Sequence, residues 1–233
     1  MEHATKTALL AGASGLVGNE LLHILLESPH YDSVKIIGRR HLDIMHPKLE
    51  QIVVDFDWLE NFRELLVADD VFCCLGTTIK AAGSQQAFRK VDFEYPSKLA
   101  ELAKEQGAQK FLVISALGAD SSSKVFYSRT KGQLEDALKK NGFPTLHIFQ
   151  PSLLLGDRKE FRPGEKAAVL LSPFFSPLLV GRLQKYKPIS ARRVAVAMHH
   201  AAQDSSFGTF THPSNRIFTL SRRHPLSQKN GTG

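Results

Sequence analysis

Tyr127 and Lys131 stand four residues apart in "FYSRTKGQLEDAL", residues 126 to 138. On a helix that spacing makes them neighbours. A phenol can act as a proton donor or acceptor when a nearby cation lowers its pKa, which is near 10 when unperturbed. The same spacing occurs by chance on any helix, so the pair needs company before it means chemistry. Ser115 supplies some: it ends the apolar run "KFLVIS" (110 to 115) just before the Tyr and Lys. A hydroxyl there could polarise and orient a carbonyl oxygen. Tyr127 would then supply the proton that a developing alkoxide needs, and Lys131 would favour tyrosinate and hold a cofactor ribose.

A second group of residues would hold that cofactor. "AGASGLVG" places Gly12, Gly15 and Gly18 at GxxGxxG spacing, with Ala13, Ser14, Leu16 and Val17 between them. The loop follows an apolar strand and opens an amphipathic helix. There Gly12 allows a tight turn, Gly15 a close approach of backbone to pyrophosphate, and Gly18 close packing of helix on strand. The helix N-terminus offers N–H groups to the phosphates. At the end of the next strand an NAD site carries an acid for the ribose 2′-hydroxyl. Here "KIIGRR" has Arg39 and Arg40 instead, guanidinium groups suited to a 2′-phosphate, and the cofactor expected is NADPH. Asp55, in "VVDFD", is either a contact to the adenine amino group or an ordinary loop carboxylate. Leu75, Gly76, Thr77 and Thr78 fall at the carboxyl end of the fourth strand, where sheets of this kind bind ligands.

The elements that must position these residues alternate. Strands are expected at Thr7 to Ala11, Val34 to Gly38, Gln51 to Val54, Asp70 to Gly76, Lys110 to Ser115 and Thr145 to Gln150. Helices are expected at Leu16 to Glu27, from about Gln85 to Gln106 with an interruption near Pro96, and at Val125 to Lys140. Continuous apolar strands separated by helices imply a parallel sheet covered on both faces, a doubly wound α/β fold. The pattern reads as one domain over residues 1 to 220. Its core spans 5 to 151, and a substrate-side cap with the C-terminal elements, including a helix at Ile189 to Ala202, spans 152 to 220. Residues 221 to 233, rich in Ser, Gly, Asn and basic side chains, read as a mobile tail.

Composition bounds the function. The chain has 233 residues, 42% hydrophobic and 23% charged, enough for one well-buried core. No window holds the roughly 18 apolar residues of a membrane span, and no secretory segment opens the chain, so a cytoplasmic protein with no membrane partner is expected. Cys73 and Cys74 read as small buried residues in a reducing compartment, and the scattered histidines offer no metal site. The net charge of +7 comes from short, separated pairs of basic residues without an aromatic platform. Phosphate-bearing small ligands explain it better than nucleic acid.

The glycine loop, Ser115 and the Tyr127, Lys131 pair together resemble the short-chain dehydrogenase/reductase superfamily. More specifically, "KIIGRR", "DVFCCLGTT", "ISALGAD" followed by "FYSRTKGQLE", and "LLLGDRKEFRPGE" resemble, in the same order, the blocks of its atypical Tat-interacting-protein-like oxidoreductases. The likeness spans about residues 5 to 175. It implies a Rossmann fold, NADPH as cofactor, the roles given above for Ser115, Tyr127 and Lys131, and a homodimer. It also places Pro151 and Ser152 beside the nicotinamide and substrate. Many relatives carry Arg-Pro-Gly there, whereas this chain has Gln150-Pro151-Ser152.

Arg158 and Arg162, in "GDRKEFRPGE", could clamp a substrate carboxylate or phosphate, or pair with Glu160 and Glu165 within their own loop. The function expected is an NADPH-dependent reductase or dehydrogenase of a small carbonyl or alcohol. Two alternatives stand beside it: an NADPH-binding redox sensor without turnover, and an epimerase-like or dehydratase-like enzyme on a nucleotide sugar.

Overall fold

The computed structural model describes residues 6–155 and 187–222. The first half alternates as expected: β1 (Thr7–Ala11), α1 (Leu16–Glu27), β2 (Ser33–Gly38), β3 (Leu49–Val53), a 3-10 segment (Phe56–Leu66) and β4 (Asp70–Cys73). Next come the short helices α2 (Ile79–Ala82) and α3 (Gln85–Arg89), one π-helical turn (Lys90–Glu94), α4 (Tyr95–Glu105), β5 (Lys110–Ile114), α5 (Phe126–Asn141) and β6 (Thr145–Gln150). The remaining described elements are β7 (Leu154–Leu155), β8 (Ile189–Ser190), α6 (Ala191–Ala202), β9 (Gly208–Pro213) and α7 (Ser214–Leu220).

Seven strands form one sheet in the order β3-β2-β1-β4-β5-β6-β9, and every pairing in it is parallel. Side chains alternate across a strand, so β1 sends Ala8 and Leu10 to one face and Leu9 and Ala11 to the other. The first face packs on α1 and α6 through residues such as Leu21, Leu25, Val194 and Met198. The second packs on the 3-10 segment, α4 and α5 through Leu59, Leu99, Ala103 and Leu134. Burial on both faces is why the strands are apolar along their whole length.

Three expectations are sharpened here. The helix expected from Gln85 to Gln106 keeps helical backbone from Gln85 to Glu105, and its interruption is the π turn at Lys90–Glu94, just ahead of Pro96. The C-terminal helix starts at Ala191, because Ile189 and Ser190 pair with β7 and the Ser190 hydroxyl accepts from the Arg193 N–H as a helix cap. The sheet has a seventh strand, β9, and a closing helix, α7, that the apolar pattern did not announce. Most of the expected cap, Arg158 and Arg162 included, lies outside the described residues. So does the expected tail, apart from Ser221 and Arg222, which finish α7 through backbone bonds to Ile217 and Thr219.

Candidate functional site

The glycine loop joins β1 to α1 in a form that two of its glycines make possible. Gly12 has φ +88° and packs so tightly that a Cβ would sit 2.6 Å from the carbonyl carbon of Cys74. A Cβ on Gly18 would lie 2.1 Å from the Gly12 carbonyl oxygen, so only glycine lets α1 approach the loop this closely. Gly15 caps α1 with extended backbone; no side chain caps the helix, and its first turn holds no acid. The leading N–H groups, on Leu16, Val17 and Gly18, are the free donors that a helix start offers to an anion.

Beside this helix start runs a groove of about 460 Å³. Its floor includes Gly12, Ala13, Ser14 and Gly15. Arg39, Arg40 and Asp55 line it after β2 and β3, and Leu75, Gly76 and Thr77 line it after β4. Val17 and Gly18 are buried behind the floor. Arg39 and Arg40 are both exposed, and β2 ends without a carboxylate. An uncapped helix N-terminus above a floor of glycines and small residues fits the pyrophosphate of a dinucleotide. Among the described residues, no group of three or more His, Cys, Asp or Glu side chains could hold a metal ion.

Two acids and a threonine here have local duties. Asp55 accepts from the Asp57 N–H at 3.0 Å, capping the 3-10 segment while bordering the groove. Asp57 in turn receives Lys90 at 2.8 Å and the Tyr95 hydroxyl at 2.8 Å, so it braces two residues that line the groove. Thr78 caps α2 by accepting from the Ala81 N–H and does not line the groove.

The Tyr and Lys sit where the sequence puts them, in the first two turns of α5, but with partners it did not announce. Tyr127 is half-buried, with its ring 5.7 Å from that of Phe88. Lys131 lies on the buried stripe of α5, and its Nζ is 2.7 Å from Oδ1 of Asp92, itself buried in the π turn. The other Asp92 oxygen accepts from the Thr77 N–H at 2.8 Å. Burial presses Lys131 toward its neutral form, but the charges of Asp92 and then Tyr127 outweigh it, so its pKa stands above the ordinary lysine value. Lys131 is therefore an ammonium at neutral pH. A Cβ on Gly76 would lie 3.5 Å from Asp92 and 4.0 Å from Lys131 Nζ, so this ion pair borders the loop that lines the groove.

Ser115 is bonded to a buried acid. Its Oγ donates to Oε1 of buried Glu135 at 2.5 Å, and Gln150 Nε2 donates to both oxygens of the same carboxylate at 2.9 and 3.1 Å. Pro151 is buried, and Ser152 is tied to the C-terminal elements. The Ser152 N–H donates to Ser214 Oγ at 2.6 Å, and its hydroxyl donates to the Lys187 carbonyl at 2.5 Å. Asp92 and Glu135 are thus the residues that sequence reasoning missed. Glu135 did carry a signal: it continues the four-residue spacing of Tyr127 and Lys131 along one helical face. Asp92 carried none, because a π turn in place of an α turn decides which way it points.

A parallel sheet in the order β3-β2-β1-β4-β5-β6, with a glycine loop opening the helix after β1, defines a Rossmann-type dinucleotide-binding fold. Residues 12–165 match the family described as NAD(P)H-binding, and the chain belongs to it as an atypical short-chain dehydrogenase/reductase. Protein HTATIP2 of Rattus norvegicus is 41% identical over 164 residues, 69% of this chain and 67% of that protein. The mitochondrial protein FMP52 of Debaryomyces hansenii is 34% identical over 209 residues, 87% of this chain and 90% of that one. The fold is shared with the Bordetella bronchiseptica enzyme WbmH in complex with NAD+, at TM-score 0.69 and 17% identity over 91% of this chain and 76% of that one.

Proposed function

We propose that the chain is an NADPH-dependent oxidoreductase that transfers hydride to or from a small carbonyl or alcohol, with Tyr127 as general acid and base. The observation that carries this reading is the groove. It runs from the uncapped start of α1 to two arginines at one end and, at the other, to a loop packed against the Lys131 and Asp92 pair. In this reading the α1 N–H groups and the Gly12–Gly15 floor hold the pyrophosphate, Arg39 and Arg40 take the 2′-phosphate, and Lys131 holds the nicotinamide ribose. The dinucleotide, when bound, supplies or accepts the hydride. Tyr127 gives its proton to the substrate oxygen on reduction and takes it back on oxidation, and the ammonium of Lys131 favours the phenolate.

Membership of an NAD(P)H-binding family supports the cofactor class. The preference for NADPH rests on Arg39 and Arg40 standing where an acid would serve NAD. Pro151 and Ser152 border the substrate end in the same proposal, which includes a homodimer, a small-molecule substrate, and neither nucleic acid nor membrane as partner. Among the described residues no helix is long and apolar enough to cross a membrane. The cytoplasm is the compartment proposed; fungal relatives are named as mitochondrial proteins, and fractionation of cells carrying the tagged chain decides between the two.

The deciding experiment follows the loss of NADPH absorbance over a broad carbonyl panel, comparing the natural chain with Tyr127→Phe at saturating NADPH. Turnover that falls by about 100-fold or more in the variant is the expected result. Tight NADPH binding with no turnover on any compound would replace the reductase by an NADPH-binding sensor.

A further inference from the structure

A second cavity, of about 420 Å³, lies where the β6–β9 edge of the sheet meets the turn after α6 and the helix α7. It shares no lining residue with the cofactor groove. Its volume falls in the range of small-molecule sites, about 300–1,000 Å³. On the sheet side three rings line it. The pairing of β6 with β9 brings Phe210 beside His147, stacked at 5.1 Å and 20°, and His212 packs on the same imidazole at 5.2 Å and 17°.

His147 is 3% exposed, and burial above all lowers its pKa to about 3, so it is uncharged at neutral pH. A neutral imidazole carries one N–H. Nδ1 of His147 meets His212 Nε2 at 2.9 Å, while its own Nε2 is buried and has no hydrogen-bond partner among the described residues. If Nδ1 donates, Nε2 is a bare acceptor. If Nδ1 accepts, Nε2 carries the proton. In both cases a buried polar atom lacks its partner in the wall of a cavity, and native folds keep few such atoms.

The other polar groups narrow what that partner is. His200 donates from Nδ1 to the Leu220 carbonyl at 3.0 Å, so its neutral ring can only accept at Nε2. Asp204 also accepts, Arg216 only donates, and their charges cancel. An anion has no proton to give His200 or Asp204, and an ammonium has no lone pair for Arg216. A hydroxyl gives and takes, and it satisfies His147 Nε2 in either tautomer.

We propose that this cavity binds a neutral polyhydroxy compound, a sugar or polyol about one ring in size, through hydroxyl bonds to His147 Nε2, His200, Asp204 and Arg216. Phe210 and Pro213 supply the apolar contact for its C–H groups. The proposal is independent of the hydride-transfer reading, because the cavity and the groove are separate.

Nitrogen-15 NMR of the histidine side chains tests it in the NADPH-saturated protein, with the His147 signals assigned by their loss in His147→Phe. The probes are D-glucose, D-ribose and myo-inositol, against acetate, inorganic phosphate and glycine at matched ionic strength. A saturable shift of His147 Nε2 with at least one of the three polyols is expected. Arg216 is exposed on α7, so Arg216→Ala should keep the fold and its NADPH affinity while binding that polyol about tenfold or more weakly, as loss of a hydrogen bond to a charged group implies. No saturable shift with any of the three polyols overturns the proposal. So does a shift produced by acetate, phosphate or glycine but by no polyol, or a polyol affinity unchanged in Arg216→Ala.

Discussion

Lys131 Nζ lies 2.7 Å from Asp92 Oδ1, with both side chains almost wholly buried, and Asp92 also holds the Thr77 N–H. One carboxylate thereby joins the helix that carries Tyr127 to the loop after β4. Breaking a buried pair from one side leaves an uncompensated charge, at about 3–5 kcal/mol. Asp92→Asn is expected to lose stability in that range in a denaturant titration. The double replacement Asp92→Leu with Lys131→Met should cost less than Asp92→Asn alone, since it removes both charges. An Asp92→Asn loss under about 1 kcal/mol would mean that the pair is not formed in solution.

Gly15 and Gly18 are three residues apart and should fail differently. A methyl on Gly18 meets the Gly12 carbonyl oxygen at 2.1 Å, so Gly18→Ala must move backbone, with an expected loss of about 1–3 kcal/mol or more and a lower melting temperature. Gly15 is exposed, has ordinary extended φ, and its added methyl would meet nothing closer than 3.2 Å. Gly15→Ala should melt within a degree or two of the parent, about 0.5 kcal/mol at most, and yet bind NADPH more weakly in a fluorescence titration. Equal melting temperatures for the two variants would refute the packing argument.

Arg39→Ala and Arg40→Ala address the 2′-phosphate. A hydrogen bond to a charged group contributes about 1.5–3 kcal/mol, so the arginine that makes the contact should lose roughly 10- to 100-fold in NADPH affinity while NADH affinity stays within about twofold. The other arginine should change little, because both are exposed and one can remain solvated. Equal affinity of the natural chain for NADPH and NADH would remove the preference altogether.

Acid should weaken the fold through two histidines. Burial first, then His212 and Lys110, lower the pKa of His147 to about 3; burial, then His200 and His30, lower that of His199 to about 4. Unfolded histidine takes its proton near 6.5. Between that value and the native one the unfolded state binds more protons, so their contribution is complete above about pH 6.5 and is lost as the pH falls toward 4. Each histidine contributes a slope of about 1.4 kcal/mol per pH unit at most. Unfolding free energies measured from pH 7 to 4.5 should show this fall, and His147→Phe should flatten it by about one histidine's worth. An unchanged slope would show that His147 titrates normally.

Much of the framework was legible because short-range rules govern it. α5 begins and ends within one residue of its expected limits, and β1 and β6 match theirs, because apolar runs and helix-stop residues act locally. β9 escaped notice for the opposite reason. "GTFTHP" is no apolar run, and it becomes a strand by pairing its backbone with β6 from Thr145 to Gln150. α7 follows it and buries only Ser214, Ile217 and Leu220, too few to stand out as a periodic stripe.

The candidate site divides in the same way. Gly12, Gly15, Gly18, Arg39, Arg40, Tyr127 and Lys131 could be picked out by type and spacing, since a phosphate-binding turn and a helical Tyr-Lys pair are each written within a few consecutive residues. What those side chains are bonded to could not. Lys131 meets Asp92 from another helix, and Ser115 meets Glu135, whose carboxylate also accepts from Gln150 at the end of β6. A buried carboxylate looks like any solvated acid in sequence, because only the packed fold takes the water away and leaves a lysine or a serine as its partner. The amino-acid order by itself determined a dinucleotide-type α/β framework and the glycine loop and arginines that line its groove. The tertiary structure decided how two buried acids hold Lys131 and Ser115, because hydrogen bonds between distant segments exist only once the sheet and its helices have brought them together.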